Sequence, residues 1–287
     1  MQLDLGSFLL QWATGGLAFL WLTTRDRTVS LGYGWLLRGV FGGLGVFAVW
    51  AELHTDHAGA GHAVFLAGAI GLVAAAAVAL VVSVVRREAG VRGQRADRVR
   101  RAERVAAMVN RPAVTASTDR SRSEFPPALD LVAPLLGVVG LLGAAVVTGG
   151  PYALTAVRLV TGALFLGSVT DAMLLGHWYL TQPGLSRDPL KELVRATAIV
   201  WPFELLVLFW PPGMLSVLSG SVSDGYGGLL GWMWALCAVG TLALVGVTWL
   251  ALRERYYSAV MAATGLLYLA ILAAFGTDLV ARALLTP

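Results

Sequence analysis

Residues 63–85 read AVFLAGAIGLVAAAAVALVVSVV, and Arg86 and Arg87 follow at once. No charge interrupts this run. A helix of that length is about 35 Å long, enough to cross the roughly 30 Å hydrocarbon layer of a bilayer. The rest of the 287-residue chain has the same character. It is 57% apolar and only 13% charged, about half the charged fraction of roughly 25% found in soluble domains. That balance excludes a disordered chain, a secreted disulfide scaffold and an ordinary soluble domain. A single cysteine, Cys237, rules out an internal disulfide.

Working outward from residues 63–85, apolar stretches recur at about 5–23, 33–52, 128–149, 153–182, 192–217, 226–252 and 257–281. The expected fold is an all-α polytopic membrane protein with eight transmembrane helices. Helices 1–3 occupy residues 1–85, a basic loop 86–127, and helices 4–8 residues 128–287. Met1-Gln2-Leu3-Asp4 lacks the basic region of a signal peptide, so the first stretch is expected to remain as a helix.

Charge orients these spans. Arg25 and Arg27 lie in the first connection and Arg86, Arg87, Arg92, Arg95, Arg98, Arg100, Arg101, Arg104, Arg111, Arg120 and Arg122 in the third. Arg187, Lys191 and Arg195 lie at the fifth, Arg253 and Arg255 at the seventh. Arg38 and Arg158 fall inside spans, and Arg282 alone stands on the opposite side. Lys and Arg accumulate on the cytoplasmic face. Both termini are therefore expected outside and the long basic loop inside, in a bacterial-type cytoplasmic membrane. The outer side carries Asp4, Glu52, Asp56, Asp224 and Asp278. Topology thus explains the basic balance, and a nucleic-acid partner is not expected. Within the loop, residues 88–109 have the pattern of a basic amphipathic helix. Val91, Ala102, Ala106 and Val109 lie near one face, suited to anionic lipid. Residues 111–127 read as a linker.

An internal echo joins Trp21-Leu22-Thr23 to Tyr179-Leu180-Thr181, each followed by a basic connection and then Arg38 or Arg195. It suggests two parallel four-helix halves, an arrangement known among transporters. Gly39 with Gly43, and Gly227 with Gly231, have the four-residue spacing that permits close helix packing.

Ionisable groups inside a bilayer are costly and mark functional positions. The fifth span carries Arg158, Asp171 and His177, with Thr161 and Ser168 completing a polar stripe that should face the bundle interior. Arg158 is read as pairing with an acid, holding an anionic group or reaching the headgroups. In the sixth span, Pro202 is expected to break the helix just before Glu204. Asp171 and Glu204 are expected at similar mid-membrane depth, sharing protons. Asp130, Arg38 and His177 would extend them toward the inner face. Asp171, Glu204 and His177 are the expected proton relay. His177, Trp178, Tyr179 and Arg158 are the expected cofactor contacts, for a quinone or a haem. No second histidine lies on the inner side, which disfavours bis-histidine haem at His177. Glu52, His54, Asp56, His57 and His62 form a dense imidazole and carboxylate cluster suited to a divalent metal.

No Walker-type phosphate loop, paired-cysteine motif, Gly-x-Ser-x-Gly elbow or His-Glu-x-x-His helix is present. The first function expected is a membrane subunit of an electron-transfer or respiratory-type complex that binds quinone or haem. It would need a redox protein partner, because the chain has no large soluble domain. The alternative is a secondary transporter of a cation or small solute that uses the mid-membrane carboxylates. A membrane enzyme or assembly factor centred on the outer histidines is the third class.

Overall fold

The computed structural model describes residues 4–89, 124–182, 185–211, 213–254 and 256–285. The expected amphipathic helix at 88–109 lies almost wholly outside them. Every regular element among the described residues is helical. The long helices are α1 (Leu5–Thr24), α2 (Leu31–Glu52), α3 (Ala60–Val85), α4 (Val132–Val147), α5 (Tyr152–Thr181) and α6 (Asp188–Phe209). A five-residue helix follows, α7 (Met214–Leu218), and then α8 (Leu229–Ala251) and α9 (Tyr257–Leu284). A 3-10 turn at Pro127–Leu131 leads into α4.

Seven of these segments are long and apolar enough to cross a membrane: α1, α2, α3, the turn with α4, α5, α8 and α9. The eighth expected span corresponds to α6. It has 22 residues but carries Asp188, Lys191, Glu192, Arg195 and Glu204. It also ends at Phe209, so the expected stretch 192–217 is divided between α6 and α7. Pro202 does not break α6, which continues through it. The Trp201 indole braces this turn by donating to the Ala238 carbonyl of α8 at 2.9 Å. The chain leaves the helix instead around Pro211 and Gly213.

The packing has the same order in both halves. α1, α2, α3 and α4 follow one another around a ring, with α4 back against α1. α5, α6, α8 and α9 do the same, with α9 back against α5. The two rings meet where α1 lies on α5. Gln11 sits beside Gly162, and Gly15 beside Ala163 and Gly167, so the two helices run parallel. A Cβ at Gly15 would overlap the Ala163 carbonyl, and one at Gly167 would overlap the Gly15 backbone. Gly68 and Gly140 make a similar backbone contact between α3 and α4. Gly39 and Gly43 are not such a contact, because a Cβ at either would meet nothing. Gly227 has φ +65°, in the turn before α8. Small residues here permit close approach where a facing helix presses against them, whether with a glycine or with a ring such as Phe41 against Gly16.

The basic end of the bundle is laced by charge. Arg25 pairs with Glu192, Arg27 Nη1 with Glu124 Oε2 at 2.8 Å, and Arg187 donates to the Glu254 and Tyr256 carbonyls. Asp224 organises part of the opposite end. Its carboxylate accepts the backbone N–H groups of Tyr226, Gly228, Leu230 and Gly231 at the start of α8. These bonds, from Gly228 and Tyr226 foremost, hold its pKa below the usual carboxyl value.

Candidate functional site

α5 is the most enclosed of the long apolar helices, as its polar stripe predicts. Thr161 lies beside Glu204, Ser168 and Asp171 are buried, and Thr170 accepts the Trp12 indole N–H at 3.0 Å. A cluster of buried polar groups gathers where α1 meets α5, α6 and α9, near the acidic end. Gln11 Nε2 of α1 donates to Asp278 Oδ1 of α9 at 2.9 Å. Arg282, one turn further along α9, donates from Nε to Asp278 Oδ2 at 2.7 Å. Its guanidinium lies 5.7 Å from the centre of the Phe8 ring, a cation–π contact. Gly162 makes room for this arrangement: a Cβ there would collide with Gln11 Nε2 and crowd Asp278 Oδ1.

Glu204 of α6 completes the cluster. Asp278, Arg282 and Arg158 are its charged neighbours. Thr161 Oγ1, although beside it, donates to the Val157 and Arg158 carbonyls at 3.0 and 3.3 Å. Both Glu204 oxygens are buried and accept no hydrogen bond from the described residues. Both Arg282 Nη atoms and Gln11 Oε1 are likewise buried and unpartnered among them. Glu204 is 1% exposed and Arg282 is fully buried. Unused donors and unused acceptors thus occupy one enclosed neighbourhood. A carboxylate so placed must be compensated by a proton, a cation or a guanidinium.

Arg158 has a second task. It donates from Nε to the Val207 carbonyl at 3.3 Å and from Nη2 to the Trp210 carbonyl at 2.9 Å. It therefore caps the C-terminus of α6, where the last carbonyls lack helical donors and the dipole favours a cation. This accounts for an arginine at the acidic end. It also ties the position of α6, and so of Glu204, to α5.

Asp171 does not join Glu204. Its neighbour is Tyr33 of α2, whose hydroxyl donates to the Asp171 backbone carbonyl at 3.4 Å. Glu204 lies about 8 Å from the end of α6 at the acidic face, whereas Asp171 lies about 28 Å from the corresponding end of α5. The carboxylate neighbouring Glu204 is Asp278. Asp171 is fully buried, and neither side-chain oxygen has a partner among the described residues.

Of the expected cofactor residues, His177, Trp178 and Tyr179 are neighbours on α5 whose side chains take different partners. His177 is exposed, edge-on to the Tyr268 ring at 6.3 Å. Trp178 donates to Ser30 Oγ at 3.0 Å, and the Tyr179 hydroxyl donates to the Ser186 carbonyl at 2.7 Å. Arg158 is some 28 Å along the same helix from His177. These four side chains do not line one pocket.

The histidines at the α2–α3 junction form a clasp. His57 and His62 each donate through Nδ1 to Glu52 Oε1, at 3.2 and 2.8 Å. His54 turns to its own helix, donating to the Trp50 carbonyl at 2.8 Å, and Asp56 is exposed. Among the described residues, no group of three or more His, Cys, Asp or Glu is arranged to hold a metal ion. The five residues read as metal ligands are thus not gathered around one point.

Asp130 and Arg38 meet near the basic end. Arg38 donates from Nε to Oδ1 at 2.8 Å and from Nη2 to Oδ2 at 2.7 Å. Thr24 Oγ1 donates to Oδ2 at 2.9 Å, and the guanidinium lies 4.5 Å from the Phe125 ring centre.

No family model, no curated protein and no solved structure matches the chain.

Proposed function

We propose that the protein is an eight-span transporter that couples its work to proton movement through Glu204, Asp278 and Arg282. α6 supplies the eighth span, both termini face outward, and the 86–127 loop lies in the cytoplasm. The charge distribution supports this orientation. The observation that carries the transport reading is the cluster itself: buried carboxylate oxygens and buried guanidinium donors in one neighbourhood, without hydrogen-bond partners among the described residues. Asp278 holds Arg282 in the arrangement described. A proton on Asp278 would release Arg282 toward Glu204, and a proton on Glu204 would favour its return. Two alternative pairings of one buried cation form a bistable element that a proton can bias. The repeated ring order supports the same reading, since parallel repeats with a charged site at their junction suit alternating access. An electron-transfer subunit has less support, because Arg158 lies some 28 Å along α5 from His177, Trp178 and Tyr179, and those three side chains each turn to a different neighbour.

The test is proton uptake into proteoliposomes loaded with a pH-sensitive dye under an imposed potassium diffusion potential. Wild type is expected to acidify the lumen, and Glu204→Gln to reduce the rate at least tenfold. Uptake unchanged in both Glu204→Gln and Asp278→Asn would overturn the proposal.

A further inference from the structure

The seam between α6 and α8 opens into a cavity of about 340 Å³. Small-molecule sites span roughly 300–1,000 Å³, so this volume is enough for a ligand segment and far more than a packing defect. Ala198 of α6 and Leu242, Val245 and Gly246 of α8 form its apolar walls. Arg195 and Trp249 stand toward its basic end, and Arg195 is the one charged residue in the lining. Arg195 is exposed. Lys191 precedes it by four residues, which places a second cation on the same face one turn nearer the basic end.

We infer that this seam binds an anionic phospholipid of the cytoplasmic leaflet, one acyl chain lying against Gly246 and the phosphate meeting Arg195 and Lys191. Three features converge on that ligand. The lining residues of α8 run about 10 Å from Trp249 to Leu242 along the helix, the direction in which an acyl chain would lie. Trp249 is two residues from the end of α8, where indole rings lie at headgroup level. Basic pockets between spans on the cytoplasmic side suit anionic headgroups. Arg195 in an otherwise apolar lining, with Lys191 one turn beyond it, discriminates in favour of a net negative lipid, because a zwitterionic headgroup brings its own cation. Gly246 keeps the groove open: a Cβ there would meet nothing within 4 Å. The inference shares with the transport reading only the orientation, and its test measures binding without flux.

The experiment is native mass spectrometry of the full chain in detergent, titrated with phosphatidylglycerol or with phosphatidylcholine. Wild type is expected to retain phosphatidylglycerol at least tenfold better. Arg195→Gln with Lys191→Gln should bring the two lipids to parity. Gly246→Leu should abolish retention of both by filling the groove, and Ala198→Leu does so from the opposite wall should the first variant not fold. Arg87→Gln, an exposed cation on the other ring at the same end, should change nothing. Unaltered phosphatidylglycerol retention in the filled-groove variant overturns the proposal. So does a loss in Arg87→Gln equal to that in the double variant.

Discussion

Two buried carboxylates, each beside an arginine, show how burial alone fails to distinguish structure from function. Near the basic end, Asp130 receives two parallel bonds from Arg38 and a third from Thr24. Such a bidentate pair is closed: each charge is compensated and oriented. Near the acidic end, Asp278 holds Arg282 by Nε alone, while the Nη atoms and the whole of Glu204 remain unpartnered among the described residues. The residue types and the depth of burial are similar. The difference is in hydrogen-bond satisfaction: the first pair is closed, whereas the second leaves donors and acceptors unused among the described residues, as the proposed switch between two pairings requires.

The contrast is broken most forcefully at the closed pair. Asp130→Ala should lower unfolding stability by about 3–5 kcal/mol, because it leaves a buried guanidinium uncompensated. Adding Arg38→Met should restore much of the loss, since an apolar pair of similar volume removes the stranded charge. Thermal unfolding in detergent reads both. A smaller loss, about 1–3 kcal/mol, is expected for Gly167→Ala, which forces a Cβ into the Gly15 backbone. Gly39→Ala and Gly43→Ala, whose Cβ positions meet nothing, should stay within about 0.5 kcal/mol of wild type. Gly162→Ala sharpens the comparison, because it strikes both packing and the Gln11–Asp278 bond. It should lower proton uptake per folded molecule, which Gly167→Ala should leave unchanged.

The smallest effect expected lies in the loop before α8. The Asp224 carboxyl is held below its ordinary pKa in the folded protein by the N–H groups it accepts. Its stabilising contribution is therefore present above roughly pH 4 and lost as pH falls through the lowered folded value. Unfolding temperature followed from pH 6 to pH 2.5 should show an acid decline that Asp224→Asn flattens.

Much of this architecture is legible in the chain. Long uncharged runs and the one-sided arginines reflect the cost of moving charge through hydrocarbon, which acts on each segment independently. The same cost made Arg158 and Glu204 visible, and both belong to the cluster. Gln11 passed unnoticed because a single amide barely alters the apolar run around it. In the sequence, Asp278 and Arg282 have the look of outer-face charges. Their i,i+4 spacing within the last helix is compatible with the pair they form, but spacing alone does not reveal burial. The partner of Asp278 is 267 residues away in sequence, and no local pattern reveals that proximity. Pro202 misled in the opposite direction: its local preference for a break is overridden by the packing of α6 against α5 and α8. Likewise, spacing alone could not show that Glu52 would occupy the imidazole Nδ1 atoms of His57 and His62.

The most direct measurement sets Glu204→Gln beside Asp130→Asn in the same lipid, recording proton uptake per folded molecule and unfolding temperature for each. Glu204→Gln is predicted to keep the unfolding temperature of wild type and lose uptake. Asp130→Asn is predicted to lose unfolding temperature and keep uptake in the fraction that remains folded. If both variants lost stability and uptake together, or if Glu204→Gln kept its uptake, the distinction between a closed strut and an open site would be contradicted.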